Sequence, residues 1–227
     1  MVEVFVSAES LSIGYNDPLL KDASFEIKPG DVIALLGPSG IGKTTLLRTI
    51  FGAVEPISGS IVSKLNNRGD LGFIPQRLGL IGNLSVQTNV LNGVRVRKKW
   101  YESFFAVFDK KSIAKVDECI NQLGLGGHEK QLVRTLSGGQ QRRVATARTL
   151  AQEPKLILAD EFLGELDEDN VELVLDSIQE MIQSTKSAIL MVEHHEDIAL
   201  KVANKIWRIE GKSLVEENAG EAFQGGY

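Results

Sequence analysis

The chain has 227 residues, of which 43% are hydrophobic and 24% are charged, as in a globular protein that buries a substantial core. The net charge of −5 argues against a general nucleic-acid-binding protein, because such proteins concentrate positive charge. No apolar run approaches the roughly 20 residues of a membrane-spanning helix, so we expect any membrane role to depend on other chains. The N-terminus lacks a basic-then-apolar leader and the only cysteine is Cys119, so we expect a reducing cytosol.

Residues 2–36 have the pattern of β-strands. Residues 2–6 alternate apolar and polar side chains, and a second alternation reaches Phe25 and Ile27 before a turn at Pro29-Gly30-Asp31. Tyr15 lies in a short polar loop, where the pattern alone predicts an aromatic side chain that packs on the sheet. Val32–Leu36 is a continuous apolar run, which predicts a buried parallel strand.

Residues 37–45 match G-x-x-x-x-G-K-[ST], the pattern of a phosphate-binding P-loop. Apolar residues at helical spacing follow, so the loop lies between a strand and a helix. Its glycines allow backbone N–H groups to approach phosphates, and the helix N-terminus attracts anions. Lys43 is expected to reach the β- and γ-phosphates, and the Thr44 hydroxyl to bind Mg²⁺. The predicted ATP-binding residues of the loop are Gly37, Pro38, Ser39, Gly40, Ile41, Gly42, Lys43, Thr44 and Thr45.

Two short strands, residues 60–63 and 71–74, follow, and the second ends at Pro75-Gln76. Residues 84–135 are predicted to be mainly helical, with one helix running to about residue 94 and an amphipathic one at 112–123. A basic run at 95–99 between them precedes an aromatic cluster. That pattern fits two structures equally well: a surface that docks a membrane protein or lipid headgroups, and a helical hairpin with inward aromatics and a solvated basic edge. The aromatic residues are Trp100, Tyr101, Phe104, Phe105 and Phe108.

A second glycine motif, Leu136-Ser137-Gly138-Gly139-Gln140, opens a helix that runs to about residue 150. A serine cap followed by two glycines makes a further anion site. The next apolar run ends in Asp160-Glu161. In a P-loop ATPase, an acidic residue at this position binds Mg²⁺ through water, and the adjacent Glu161 can act as general base.

The remainder alternates helices and strands. Helices are predicted at 170–182 and 196–203, a buried strand at Ala188–Val192, and a hairpin of residues 206–209 and 213–216 before a loose tail at 217–227. Glu193-His194-His195 closes the buried strand, and one histidine is expected to face a ligand at the strand's carboxyl end. A zinc site is not expected, because the third histidine, His128, is distant in sequence and no cysteine accompanies them.

The order of these motifs resembles the nucleotide-binding subunit of ABC transporters over about residues 2–215, and Leu-Ser-Gly-Gly-Gln is that family's own signature. The resemblance implies an α/β P-loop NTPase with a RecA-like core, an N-terminal antiparallel β-subdomain and an inserted α-helical subdomain at about 77–150. Residues 1–216 are expected to form one ATPase domain. Similarity at 89–93, 100–105, 122–125 and 140–145 extends to the phosphonate importer ATPases.

The resemblance also implies roles for individual residues. Tyr15 corresponds to the aromatic that stacks on adenine, and Gln76 to the residue that touches Mg²⁺ and senses the membrane partner. His194, rather than His195, corresponds to the switch histidine. The predicted catalytic residues are Glu161, His194 and Lys43; the Mg²⁺ site is Thr44, Gln76 and Asp160; and Ser137, Gly138, Gly139, Gln140 and Asp167 contact ATP of the opposite subunit.

By the same resemblance, two copies, or one copy and a homologous ATPase, close head to tail around two Mg-ATP. The expected partners are transmembrane permease subunits and an extracytoplasmic solute-binding protein, with no nucleic acid, and the expected location is peripheral, on the cytoplasmic face of the membrane. An exporter or lipoprotein-release ATPase, a soluble ABC ATPase and a binding module without turnover are the alternatives. Phe162, Gly164, Glu165 and Glu193 depart from the family pattern, but the catalytic residues are intact, so we expect hydrolysis.

Overall fold

The computed structural model describes residues 3–97, 108–164, 166–193 and 196–218. Nine strands lie in two sheets within these residues. The strands are β1 (Val6–Gly14), β2 (Pro18–Ile27), β3 (Val32–Leu36), β4 (Ser58–Ser63), β5 (Leu71–Ile74), β6 (Leu156–Asp160), β7 (Ala188–Val192), β8 (Lys205–Glu210) and β9 (Ser213–Asn218). The helices are α1 (Lys43–Ile50), α2 (Val86–Arg97), α3 (Lys110–Gln122), α4 (Gly138–Ala151), α5 (Glu168–Thr185) and α6 (Glu196–Val202).

The larger sheet has the order β5-β6-β7-β3-β8-β9 and is parallel except for β9, which is antiparallel to β8. Every residue of β3, β6 and β7 is buried, as expected for parallel strands covered on both faces. The smaller sheet, β2-β1-β4, is antiparallel. The expected P-loop NTPase fold with an antiparallel β-subdomain is therefore confirmed.

Alternate residues of the central strands enter two different hydrophobic clusters. In β3, Val32, Ala34 and Leu36 face the helices that follow β5, whereas Ile33 and Leu35 face α1 and the antiparallel sheet. This alternation follows from the two-residue period of a strand. The large sheet therefore separates a helical layer, formed by the helices that follow β5, from a second layer of α1 and the antiparallel sheet.

The predicted strand at residues 2–6 is wrong in position, because β1 begins at Val6. Both neighbouring strands end opposite this residue, since Val6 pairs with Ile27 of β2 and with Ser63 of β4. Residues 3–5 therefore lie beyond the ends of both neighbouring strands, although Phe5 still bonds to Ile27 and Lys64 through its backbone. At the other end, β9 extends to Asn218, two residues past the strand predicted at 213–216, and the loose tail stays a prediction.

Helices α2, α3 and α4 lie between β5 and β6 in the sequence and pack against one another. A helical subdomain was expected in this part of the chain. Helix α2 reaches Arg97, three residues past its predicted end, so the first residues of the basic run are helical. Arg95 lies 5.2 Å from the centre of the Phe108 ring. Trp100, Tyr101, Phe104 and Phe105 lie outside the described residues, and the role of the aromatic cluster stays a prediction, as does the single-domain boundary.

Candidate nucleotide-binding site

The P-loop connects the end of β3 to the start of α1. Gly40 and Gly42 have φ angles of 79° and 117°, a backbone region that residues with a side chain rarely adopt. A Cβ on Gly42 would lie 3.0 Å from Cβ of Leu19, so glycine also allows the loop to pack closely against β2. Tyr15 follows β1, close in sequence to Leu19, and its side chain is 65% exposed. The aromatic ring of Tyr15 is therefore accessible to a ligand.

Lys43 reaches back across the P-loop although its side chain is almost completely buried. Its Nζ donates hydrogen bonds to the carbonyl oxygens of Gly37 at 2.5 Å and Pro38 at 3.0 Å. Burial lowers the pKa of Lys43, and the nearby carboxylates of Glu161 and Asp160 oppose that shift. The ammonium group is thus held against the main chain of the P-loop.

The Thr44 hydroxyl donates a 3.0 Å hydrogen bond to Oδ1 of Asp160, the last residue of β6. Burial raises the pKa of Asp160, the bond from Thr44 lowers it, and the neighbouring Glu161 raises it further. A hydroxyl and a carboxylate are hard oxygen ligands that fit Mg²⁺, which commonly takes one or two protein ligands and completes its shell with phosphates and water. Among the described residues, no cluster of three or more His, Cys, Asp or Glu forms a metal cage.

Glu161 directly follows Asp160 and meets Gln76 from the end of β5. The Gln76 side-chain amide donates a 2.6 Å hydrogen bond to Oε2 of Glu161. The Glu161 backbone has a φ of 50°, in the left-handed region, and its N–H donates to the carbonyl of Val192 at 3.3 Å. Because β5, β6 and β7 are parallel neighbours, their carboxyl ends bring these residues to one edge of the sheet.

A second site surrounds the N-terminus of α4. The Ser137 hydroxyl accepts a bond from the Gln140 N–H at 3.2 Å, and the Gln140 side chain accepts one from the Ser137 N–H at 3.0 Å, a complete capping box. A cavity of about 300 Å³ opens beside this cap. It is lined by Ser137, Gly138, Gly139, Gln140, Arg143, Leu166, Asp167 and Asn170. The helix N-terminus and a guanidinium together favour an anion there.

The predicted site residues therefore fall into two groups. Lys43, Thr44, Gln76, Asp160 and Glu161 come together at one edge of the sheet, and direct hydrogen bonds link Thr44 to Asp160 and Gln76 to Glu161. The five residues predicted to contact the opposite subunit's ATP all line the second cavity, which contains no P-loop residue. His194 and Glu165 lie outside the described residues.

The sequence did not predict the contacts of two arginines of α4, one with Glu161 and one with the loop after Gln76. Arg142 donates from Nη1 to the carbonyl of Glu161 at 3.1 Å. Arg148 donates to the carbonyls of Leu78 and Gly79 at 2.9 and 2.8 Å, in the loop after Gln76, and burial lowers its pKa. The sequence gives no signal for either contact, because an arginine on a helix usually belongs to a solvated face.

A family model described as ABC transporter matches residues 20–164, more than half of the chain. The chain therefore belongs to the ABC transporter family, as an ATP-binding protein that hydrolyses ATP. It is 30% identical to the phosphonates import ATP-binding protein PhnC of Escherichia coli O157:H7, over 98% of this chain and 92% of that protein. It is 34% identical to PhnC of Paraburkholderia xenovorans strain LB400, over 90% of this chain and 73% of that protein.

Solved structures give the same result for the fold. CbiO1 from Clostridium perfringens, part of the ABC transporter complex CbiONQ, matches with a TM-score of 0.80 and 26% identity, over 98% of this chain and 92% of that one. A dimeric ATP-binding cassette in a post-hydrolysis state, bound to ADP and phosphate, matches with a TM-score of 0.81 and 24% identity, over 94% and 98%. Within the described residues, no helix combines the length and the apolar composition needed to cross a membrane.

Proposed function

We propose that the chain is the ATP-hydrolysing subunit of an importer for a small solute of the phosphonate class. The observation that carries this proposal is the convergence of Lys43, Thr44, Gln76, Asp160 and Glu161 at the carboxyl edge of the parallel sheet. The names of the relatives, which are phosphonate import ATP-binding proteins, support the solute class.

In the proposed site, Tyr15 stacks on adenine and the P-loop residues 37–45 surround the phosphates. Lys43 exchanges its two carbonyl partners for β- and γ-phosphate oxygens. Thr44, Gln76 and Asp160 are the residues that would hold Mg²⁺. When bound there, the ion would supply positive charge against the transferred phosphoryl group.

Glu161 is the proposed general base, which accepts a proton from the water that attacks the γ-phosphate. The Gln76 side-chain amide donates to this carboxylate, which lies close enough to Lys43 of the P-loop to oppose the lowering of that lysine's pKa by burial. His194 is the proposed switch histidine that contacts the γ-phosphate side of the same site. Together these residues supply the base, the phosphate clamp and the orientation that phosphoryl transfer to water requires.

The proposed active assembly is a head-to-tail dimer, formed by two copies or by this chain and a homologous ATPase. The capped N-terminus of α4 and its cavity face the ATP bound by the opposite subunit, through Ser137, Gly138, Gly139, Gln140 and Asp167. Supporting this arrangement, the cavity has anion-binding features but no P-loop residue. Transmembrane permease subunits and an extracytoplasmic solute-binding protein complete the importer, and the ATPase is peripheral, on the cytoplasmic face.

The test is the Glu161→Gln variant, with Glu172→Gln as a control for loss of an exposed carboxylate on α5. We expect Glu161→Gln to bind ATP, to dimerise with it and to hydrolyse it at least about 100-fold more slowly, because the base is gone. Glu172→Gln should hydrolyse at the wild-type rate. Substantial hydrolysis by Glu161→Gln would remove the base assignment.

The same variant, placed in the host gene, tests the solute class. Growth is measured with a phosphonate as the sole phosphorus source and with phosphate as the control. Loss of growth on phosphonate alone supports a phosphonate importer. Unchanged growth, with the variant protein present and no second phosphonate route, would refute the phosphonate class and leave the ATPase assignment intact.

A further inference from the structure

We propose that Arg142 is a positioning residue that holds the backbone of Glu161 in place from helix α4. The inference rests on the role proposed above for Glu161 as the base. It adds to the hydrolytic machinery a residue of α4 that is not part of the P-loop or the capping box, and it makes α4 the support of the base.

The contact is direct and partly buried. Arg142 is 8% exposed and lies in the second turn of α4, and its Nη1 donates to the Glu161 carbonyl at 3.1 Å. The guanidinium also lies beside Gly164, where a Cβ would be 3.7 Å from Nη2 and 3.6 Å from the Glu161 carbonyl oxygen. The charged group therefore sits between α4 and the turn that follows β6.

The backbone at Glu161 needs such support. Its φ of 50° is uncommon for a residue with a side chain and costs conformational energy. A hydrogen bond from a charged donor is stronger than one between neutral groups, and this one acts on the peptide that sets the direction of the Glu161 side chain. Removing it allows the turn to relax and moves the carboxylate away from Gln76, its partner at 2.6 Å.

Helix α4 also supports Gln76, the partner of Glu161 in this hydrogen bond. Arg148 lies six residues after Arg142 and donates to the carbonyls of Leu78 and Gly79, in the loop that begins with Gln76. The Gln76–Glu161 hydrogen bond is thus fixed from both sides by arginines of one helix. This geometry indicates that Arg142 acts on the placement of the base and not on nucleotide binding.

The experiment compares Arg142→Gln and Arg142→Lys in the full chain, with kcat, KM for ATP and the midpoint of thermal unfolding measured for each. We expect Arg142→Gln to lower kcat by about 10- to 100-fold with KM for ATP within about twofold, since misplacement of a catalytic group by about 1 Å has effects of this size. Arg142→Lys keeps the charge and one donor, so its kcat should lie between those of Arg142→Gln and the wild type.

Arg97→Gln is the matched control. Arg97 also donates from a helix to main-chain carbonyls, those of Gln152 and Glu153, but these are at the C-terminal end of α4, remote from its capping box. Its substitution should lower the unfolding midpoint and leave kcat unchanged. A merely structural role for Arg142 would give this same pattern, and that result would overturn the proposal.

The final step repeats Arg142→Gln in the Glu161→Gln background. If Arg142 acts through Glu161, the residual hydrolysis should not fall further, whereas an equal proportional fall in both backgrounds would overturn the proposal. Should Arg142→Gln fail to fold, the kcat of the cooperatively folded Arg142→Lys decides the outcome. Wild-type hydrolysis by Glu161→Gln itself would instead remove the base assignment, so the two failures are distinguishable.

Discussion

Phe162 lies directly after Glu161, where the resemblance to ABC ATPases leads one to expect proline. Its side chain is 1% exposed and belongs to the hydrophobic cluster on the helical face of the large sheet. Proline would restrict this turn through its fixed φ angle. Here, a buried aromatic anchors the turn by packing instead, and the departure from the family pattern has a structural use.

Phe162→Ala should therefore reduce both stability and turnover. Removing a fully buried phenylalanine lowers the free energy of unfolding by about 3–5 kcal/mol, through lost burial and the cavity that remains. The turn that carries Glu161 also loses its anchor, so kcat should fall in the protein that stays folded. Urea unfolding and steady-state ATPase assays measure the two effects.

The control for that experiment is Phe51→Ala, because Phe51 is 44% exposed at the C-terminus of α1. Its substitution should lower the free energy of unfolding by only about 1 kcal/mol, as less surface is buried. An equally small change for Phe162→Ala would show that the turn after β6 is not held by aromatic packing.

At the scale of elements, the N-terminus of α4 combines two uses of one side chain. Ser137 closes the capping box with Gln140, and it also lines the cavity proposed to receive ATP of the opposite subunit. Substitution by alanine removes both properties at once and cannot separate them. Aspartate can separate them, because it caps helices as well as serine does but carries a negative charge.

Ser137→Asp should keep the stability of the wild type, whereas Ser137→Ala should lose about 1 kcal/mol. In contrast, Ser137→Asp should abolish ATP-driven dimerisation, because its carboxylate repels the γ-phosphate. Urea unfolding gives the first quantity, and sedimentation with ATP in the Glu161→Gln background gives the second. Dimers of Ser137→Asp at wild-type ATP concentrations would contradict the proposed head-to-tail site.

The elements near the P-loop could be predicted from sequence because their signals are local. The strand Val32–Leu36 is a continuous apolar run, and the glycine pattern after it requires a turn into a helix. The start of β1 could not be predicted, since residues 2–6 alternate as a strand does and only the ends of the paired strands set the boundary. The same limit applies to Arg142, whose contact with Glu161 spans 19 residues and depends on the packing of α4.

On the scale of the whole molecule, the two layers meet at the proposed ATP site. Helix α1, which carries Lys43, packs with the antiparallel sheet, while α4 packs in the helical layer on the other face. Gln76 follows β5 and Asp160 ends β6, and both strands belong to the sheet between α1 and α4. A motion of the helical layer relative to the sheet would therefore change the Gln76–Glu161 geometry, and the cohesion of that layer matters for function.

Cys119 reports on this cohesion, because it is the chain's only cysteine and lies in α3 with no exposed surface. Burial raises the pKa of its thiol to about 12. At pH 8 such a thiol is about 0.01% ionised, against about a quarter for an exposed thiol, and the thiolate is the reactive form. Alkylation should therefore be slow in the folded chain and fast in urea.

The rate of alkylation is measured by mass spectrometry during labelling with iodoacetamide at pH 8. The Cys119→Ser variant establishes that the label is on the thiol. We expect one label per chain above the urea midpoint and almost none in buffer. Labelling within minutes in buffer, while the fully buried Trp207 keeps its native fluorescence in a Trp100→Phe background, would contradict a closed helical layer. It would show that α3 separates from α2 and α4 without unfolding of the sheet, since local opening exposes one layer before the whole.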